Sequence, residues 1–110
     1  NGGFARVLSP SAGFSYTWSQ SAAGAADCST ADAVDPASIM LNGTAIDLTA
    51  TYRVTVNSFL ADGGDGFTVL VEGTDRLGGA VDVDAFEAYL IAAEPTGISP
   101  PPLDRITMAP

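Results

Sequence analysis

The 110 residues suffice for one domain with a real core, and 46% hydrophobic content is too rich for a disordered tail. Thirteen acidic residues against four basic ones, all arginine, give a net charge of -9, which repels phosphate backbones and anionic lipid. Nucleic-acid binding and membrane insertion are therefore not expected; no apolar run reaches the ~18 residues of a membrane span, and Asn1-Gly2-Gly3-Phe4 lacks the character of a signal peptide.

Two further absences narrow the chemistry. The chain contains no histidine, which removes a Ser-His-Asp triad and nearly every catalytic zinc site. Cys28 is the single cysteine, so neither an internal disulfide nor a multi-cysteine metal site can form. It lies in a Ser/Ala/Asp-rich stretch, where an incidental thiol or a filler is the ordinary reading.

In chain order, Phe14-Ser15-Tyr16-Thr17-Trp18 alternates aromatic and small polar residues, predicting a strand with the three rings on one face. A loop is expected from Ser19 to about Pro36. Ser38–Leu41 reads as a strand ending in Asn42-Gly43, a strong tight-turn signal, with Ala45–Leu48 leading away. Tyr52-Arg53-Val54-Thr55-Val56-Asn57 has the strongest strand pattern, with Tyr52, Val54 and Val56 facing a core. Ser58–Asp62 and the glycine-rich Gly63-Gly64-Asp65-Gly66 follow, then Phe67–Val71, readable as a short strand or a helical turn.

Gly78-Gly79 predicts a turn. Asp82–Glu87 opens a helix, with Asp84 as N-cap, Glu87 at capping-box spacing and Val83 as staple. Phe86, Leu90 and Ala93 form its apolar stripe and Pro95 stops it. Pro100-Pro101-Pro102 gives an extended connection to Arg105–Met108. The fold class is α+β: a mixed sheet, one clear late helix and long loops, in one domain covering 1–110.

The informative segment is Tyr52 to Phe67. Glycines around Asp65 permit positive φ and close approach of a ligand to the backbone. Phe59, following the expected strand, could stack on a base, and Asp65 could accept hydrogen bonds from sugar hydroxyls. The same residues admit a plainer reading, with Phe59 in a core and Asp62 and Asp65 capping a tight turn. Calcium is a third option for a Gly/Asp-rich loop, although the EF-hand ligand spacing is missing. A carboxylate pair drawn from Asp62, Asp65, Asp82 and Asp84 would be needed for catalysis, but Asp82 and Asp84 are better explained as helix-start residues.

Tyr52-Arg53-Val54 followed by Asn57-Ser58-Phe59-Leu60-Ala61-Asp62-Gly63-Gly64-Asp65-Gly66-Phe67 closely resembles the signature of the 5′-nucleotidase C-terminal domain. Leu41-Asn42-Gly43 with Ile46-Asp47, Asp84–Leu90 and Arg105-Ile106 resemble flanking parts of that domain, truncated here at its N-terminal side.

The resemblance implies a substrate-recognition role without catalytic residues of its own. Phe59 corresponds to one of two rings that sandwich the base, Asp65 to the ribose ligand, Gly63 and Gly64 to the loop, and Gly2 to a glycine lining the base site. The family's other ring and its substrate arginines have no counterpart in this chain. Hydrolysis would come from a separate N-terminal metallophosphoesterase domain holding a divalent metal pair, absent here; no metal site or cofactor is expected in this chain. The implied substrates are nucleotides or nucleosides and the implied location extracytoplasmic.

An unpaired sheet edge also suggests a homodimer. The alternative reading is a non-catalytic secreted binding module for sugar, calcium or protein, using the Phe14/Tyr16/Trp18 strand or the acidic surface.

Overall fold

The computed structural model describes residues 7–19 and 34–110. Its contacts divide the chain into two compact units, residues 1–51 with 101–110, and residues 52–100. The fold class is α+β, as expected: a mixed four-stranded sheet with helices.

The sheet belongs to the first unit and runs β3-β2-β1-β4. The aromatic strand forms as predicted, as β1 (Phe14–Trp18). The Phe14 and Tyr16 rings meet edge to face at 6.3 Å between centroids, as residues two apart on one strand face do. These rings are half-buried in the sheet. β2 (Met40–Leu41) and β3 (Thr44–Ala45) pair antiparallel around Asn42 and Gly43, whose φ values of 51° and 78° are those of a type I′ turn. The predicted strand over 38–41 is thus shorter. Ser38 ends a 3-10 turn, Pro36–Ser38, in which Asp35 Oδ1 accepts from the Ala37 amide at 3.0 Å.

Ser38 fastens that turn to the sheet: its Oγ accepts from the Thr17 amide at 2.8 Å and donates to the Asp35 carbonyl at 2.6 Å. The closing segment forms β4 (Ile106–Met108), parallel to β1. Arg105 anchors its start, donating from a guanidinium nitrogen to the Pro10 carbonyl at 2.9 Å. Most of the loop expected from Ser19 to Pro36, with Cys28, lies outside the described residues, as does Gly2.

The second unit holds α1 (Ser58–Ala61), two 3-10 segments (Gly64–Gly66 and Thr68–Glu72) and α2 (Asp82–Ala92). Several expectations are corrected in it. Tyr52–Asn57 is not a strand, and Tyr52 and Val54 are exposed rather than core-facing. β-branched alternation makes a segment suitable for a sheet, but a strand exists only when another backbone takes its hydrogen bonds, and no described segment does so here. Phe67–Val71 resolves to the helical alternative. Gly78-Gly79 makes no turn.

α2 forms at the predicted place but starts earlier, with Val81 as its cap residue and no side-chain cap bond. Asp84 is therefore the third helical residue rather than the N-cap, and the Asp84–Glu87 capping box is not made. The Asp82 carboxylate instead accepts from the Val83 amide at 2.8 Å. Asp82 and Asp84 do occupy the first turn, where the helix dipole favours negative charge. The expected stripe is not buried: Phe86 and Leu90 are exposed. Val83, Ala85, Ala88 and Ile91 spread apolar character round the whole helix, so no single face is set apart. α2 ends three residues short of Pro95.

Among the described residues none is fully buried, and no helix is long and apolar enough to cross a membrane.

Candidate functional site

The glycine-rich segment is built on a single helical turn. Asn57, in extended conformation, places its Oδ1 to accept from the Leu60 amide at 2.9 Å. An Asn in this position contributes about 1 kcal/mol to starting a helix. The turn then closes through Ala61 and Asp62 amides donating to the Asn57 and Ser58 carbonyls, at 3.0 and 3.1 Å. Four residues are far too few to be helical alone, so this cap and the contacts below hold α1 in place.

Gly63 ends the turn in left-handed conformation, φ 85°, with its amide donating to the Leu60 carbonyl at 2.9 Å. The chain then winds through Gly64–Gly66, where Asp65 also takes a positive φ, 56°, and the Phe67 amide closes on the Gly64 carbonyl at 3.2 Å. Positive φ at a non-glycine residue is uncommon, and Asp is among the side chains that tolerate it best. Asp65 stands exposed at the apex of this turn.

Phe59 projects from α1 onto the same loop. A Cβ added at Gly64 would lie 2.5 to 2.6 Å from three carbons of the Phe59 ring, so the ring sits directly against the Gly64 backbone. It is nonetheless 58% exposed. The loop supports the ring, and a large part of its surface remains open to solvent.

Arg76, which the sequence did not single out, bridges the two ends of the loop. One guanidinium nitrogen donates to Asp62 Oδ1 at 3.1 Å; the other donates to the Ala61 carbonyl at 2.5 Å and the Val71 carbonyl at 3.4 Å. The Asp62 carboxylate is therefore half of an ion pair, while its backbone amide caps α1. The available signal was that Arg76 is one of four cations in an acid-rich chain, within a dozen residues of the glycine loop. Its partners, 5 to 15 positions away, follow from no local pattern.

Phe59, Gly63, Gly64 and Asp65 are thus brought together in one small element, whereas Gly2 lies outside the described residues. Among the described residues, two open concavities lie in the sheet-bearing unit. One, of about 250 Å³, is lined by Ser9, Pro10, Leu103, Arg105 and neighbours; the other lies by Gly13, Phe14 and Asp104. Among the described residues no three acidic or cysteine side chains are grouped so as to hold a metal ion. The glycine loop offers an aromatic face and a carboxylate, which are means of binding and orienting a ligand.

Residues 2–72 match the family described as 5′-nucleotidase, C-terminal domain, and the chain belongs to that family. The match takes in the whole glycine-rich element and stops before α2 and β4. Among curated proteins, the chain is 42% identical over 45 residues to an apyrase of Aedes albopictus, and 45% identical over 47 residues to an apyrase of Anopheles gambiae. These stretches cover 41% and 43% of this chain but only 8% of each apyrase. No solved structure matches significantly.

Proposed function

We propose that this chain is the nucleotide-recognition part of a 5′-nucleotidase-type metallophosphoesterase. The Phe59 ring stacks on the base, the Asp65 carboxylate accepts hydrogen bonds from the ribose hydroxyls, and Gly63 and Gly64 let the loop approach both. Gly2 lines the base site. A separate catalytic domain of the intact protein supplies the divalent metal pair and attacks the phosphate ester. This chain fixes where the nucleoside sits, which converts an encounter into an aligned substrate. The protein acts outside the cytoplasm.

The observation that carries this reading is the seating of a half-exposed aromatic ring on Gly64, one residue before a left-handed Asp65. The loop backbone seats one side of the ring and leaves the rest open, an arrangement that suits stacking on a base. The membership of the 5′-nucleotidase family and the likeness to apyrases support a nucleotide as the ligand.

The test is phosphate release by the intact protein from AMP, UDP-glucose and 2′,3′-cyclic AMP with divalent metal present. Metal-dependent hydrolysis is expected from the intact protein and none from residues 1–110 alone. Phe59→Ala should raise KM for the preferred nucleotide roughly 5- to 150-fold, the equivalent of a lost stacking contact. Wild-type KM in both Phe59→Ala and Asp65→Ala would remove the loop from substrate binding.

A further inference from the structure

Arg76 joins the two ends of the glycine-rich segment through one planar group. On the entering side it binds the Ala61 carbonyl and the Asp62 carboxylate, at the end of α1; on the leaving side it reaches the Val71 carbonyl, in the last turn of Thr68–Glu72. Gly63, Gly64 and Asp65, all proposed to meet the nucleoside, hang between these points. Within the loop the Gly63 amide donates to the Leu60 carbonyl and the Phe67 amide to the Gly64 carbonyl, and none of its residues is buried.

A segment with three glycines in four positions has many backbone conformations to lose, and each must be excluded before Phe59 and Asp65 present a fixed geometry. A guanidinium suits that task because its fork of donors engages several acceptors in one plane, whereas an ammonium is a point charge on a flexible stem. The exposed Arg76–Asp62 ion pair would be worth little by itself. The two backbone carbonyls on opposite sides of the loop make the difference.

We infer that Arg76 is a positioning residue for nucleotide recognition: it ties Ala61 and Asp62 to Val71 and so holds the Gly63–Gly66 loop in the shape that presents Phe59 and Asp65 to the nucleoside. This rests on the assignment of that loop to the substrate. Arg76 does not touch the ligand; it lowers the cost of ordering the loop on binding.

The experiment uses the intact protein with divalent metal and compares Arg76→Ala, Arg76→Lys, Phe59→Ala and Asp65→Ala. AMP is set against p-nitrophenyl phosphate, which carries no ribose. Arg76→Ala should raise KM for AMP roughly tenfold with kcat within about twofold, and lower the AMP to p-nitrophenyl phosphate ratio of kcat/KM to match. Arg76→Lys, a milder change should the alanine variant fold poorly, should fall between. Amide exchange at Gly63 and Phe67 should accelerate in both Arg76 variants. Adding Arg76→Ala to Phe59→Ala and Asp65→Ala together should cost little more, since the positioned groups are gone.

Unchanged KM and unchanged exchange in the Arg76 variants, with KM raised in Phe59→Ala and Asp65→Ala, would overturn the role of Arg76 and leave the loop assignment standing. Unchanged KM in all four would overturn both. Equal losses on AMP and p-nitrophenyl phosphate would make Arg76 a general structural residue and overturn the inference.

Discussion

The ring of Phe59 lies against the backbone of Gly64, so close that a single added methyl would penetrate the ring. The five-residue separation matters: a one-turn helix carries the aromatic out, and a left-handed Gly63 turns the chain back beneath it. Glycine at 64 is required by space, whereas Gly66 has nothing within 4 Å of its missing side chain and is required by its φ of 85°.

Gly64→Ala should therefore displace the Phe59 ring and raise the nucleotide KM nearly as much as Phe59→Ala does. Gly66→Ala should act through backbone strain, on the order of 1–3 kcal/mol of local stability. Steady-state kinetics together with local amide exchange would separate the two. If Gly64→Ala binds nucleotide normally, the ring does not need its seat on the loop.

Asp65 combines a carboxylate with a backbone conformation that few side chains accept. Asp65→Asn keeps the tolerance of positive φ and removes the charge. It should reduce the preference for AMP over its 2′,3′-dideoxy analogue roughly tenfold, with little effect on loop conformation. Asp65→Ala should add backbone strain to the same loss. A preference unchanged in Asp65→Asn would take the ribose away from this residue.

The Asn57 cap is a single bond supporting a single turn. Asn57→Ala should destabilise that turn by about 1 kcal/mol and expose the Leu60 amide, which loses its acceptor. Hydrogen exchange at Leu60 reports this directly, and Asn57→Asp or Asn57→Ser should restore most of the protection.

Asp47 gives a pH-dependent local signal remote in sequence from the loop. The Thr49 hydroxyl and amide both donate to its carboxylate, at 2.7 and 2.8 Å, and hold its pKa below the ordinary aspartate value of 3.8. Since the folded pKa is the lower one, this bonding stabilises the turn above pH 3.8 and is lost as pH falls through the folded value. Carboxyl chemical shifts should show Asp47 titrating below ordinary aspartates, and Thr49→Ala should move its midpoint upward.

β3 and β4 form the edges of the sheet, and strand edges can pair between copies. Residues 1–110 in isolation are expected to dimerise along such an edge at high concentration. Light scattering that shows monomer throughout would count against it.

Much of the local structure was legible in the sequence. Alternating aromatics marked β1, Asn42-Gly43 marked a turn needing two positive φ values, and the acid-led apolar segment marked α2. Each depends on neighbours within a few positions. The glycine loop was legible too, because few side chains other than glycine and Asp accept its backbone.

Tertiary structure decided the rest. Tyr52–Asn57 has every intrinsic preference of a strand, yet a strand requires a partner backbone, and pairing is not a property of one segment. The parallel alignment of β4 with β1 joins residues some ninety positions apart, as Tyr16 with Ile106. Arg76 gained its place in the same way. Its three acceptors converge only once α1 and Thr68–Glu72 have formed, so a residue unremarkable in the sequence becomes the tie that closes the loop.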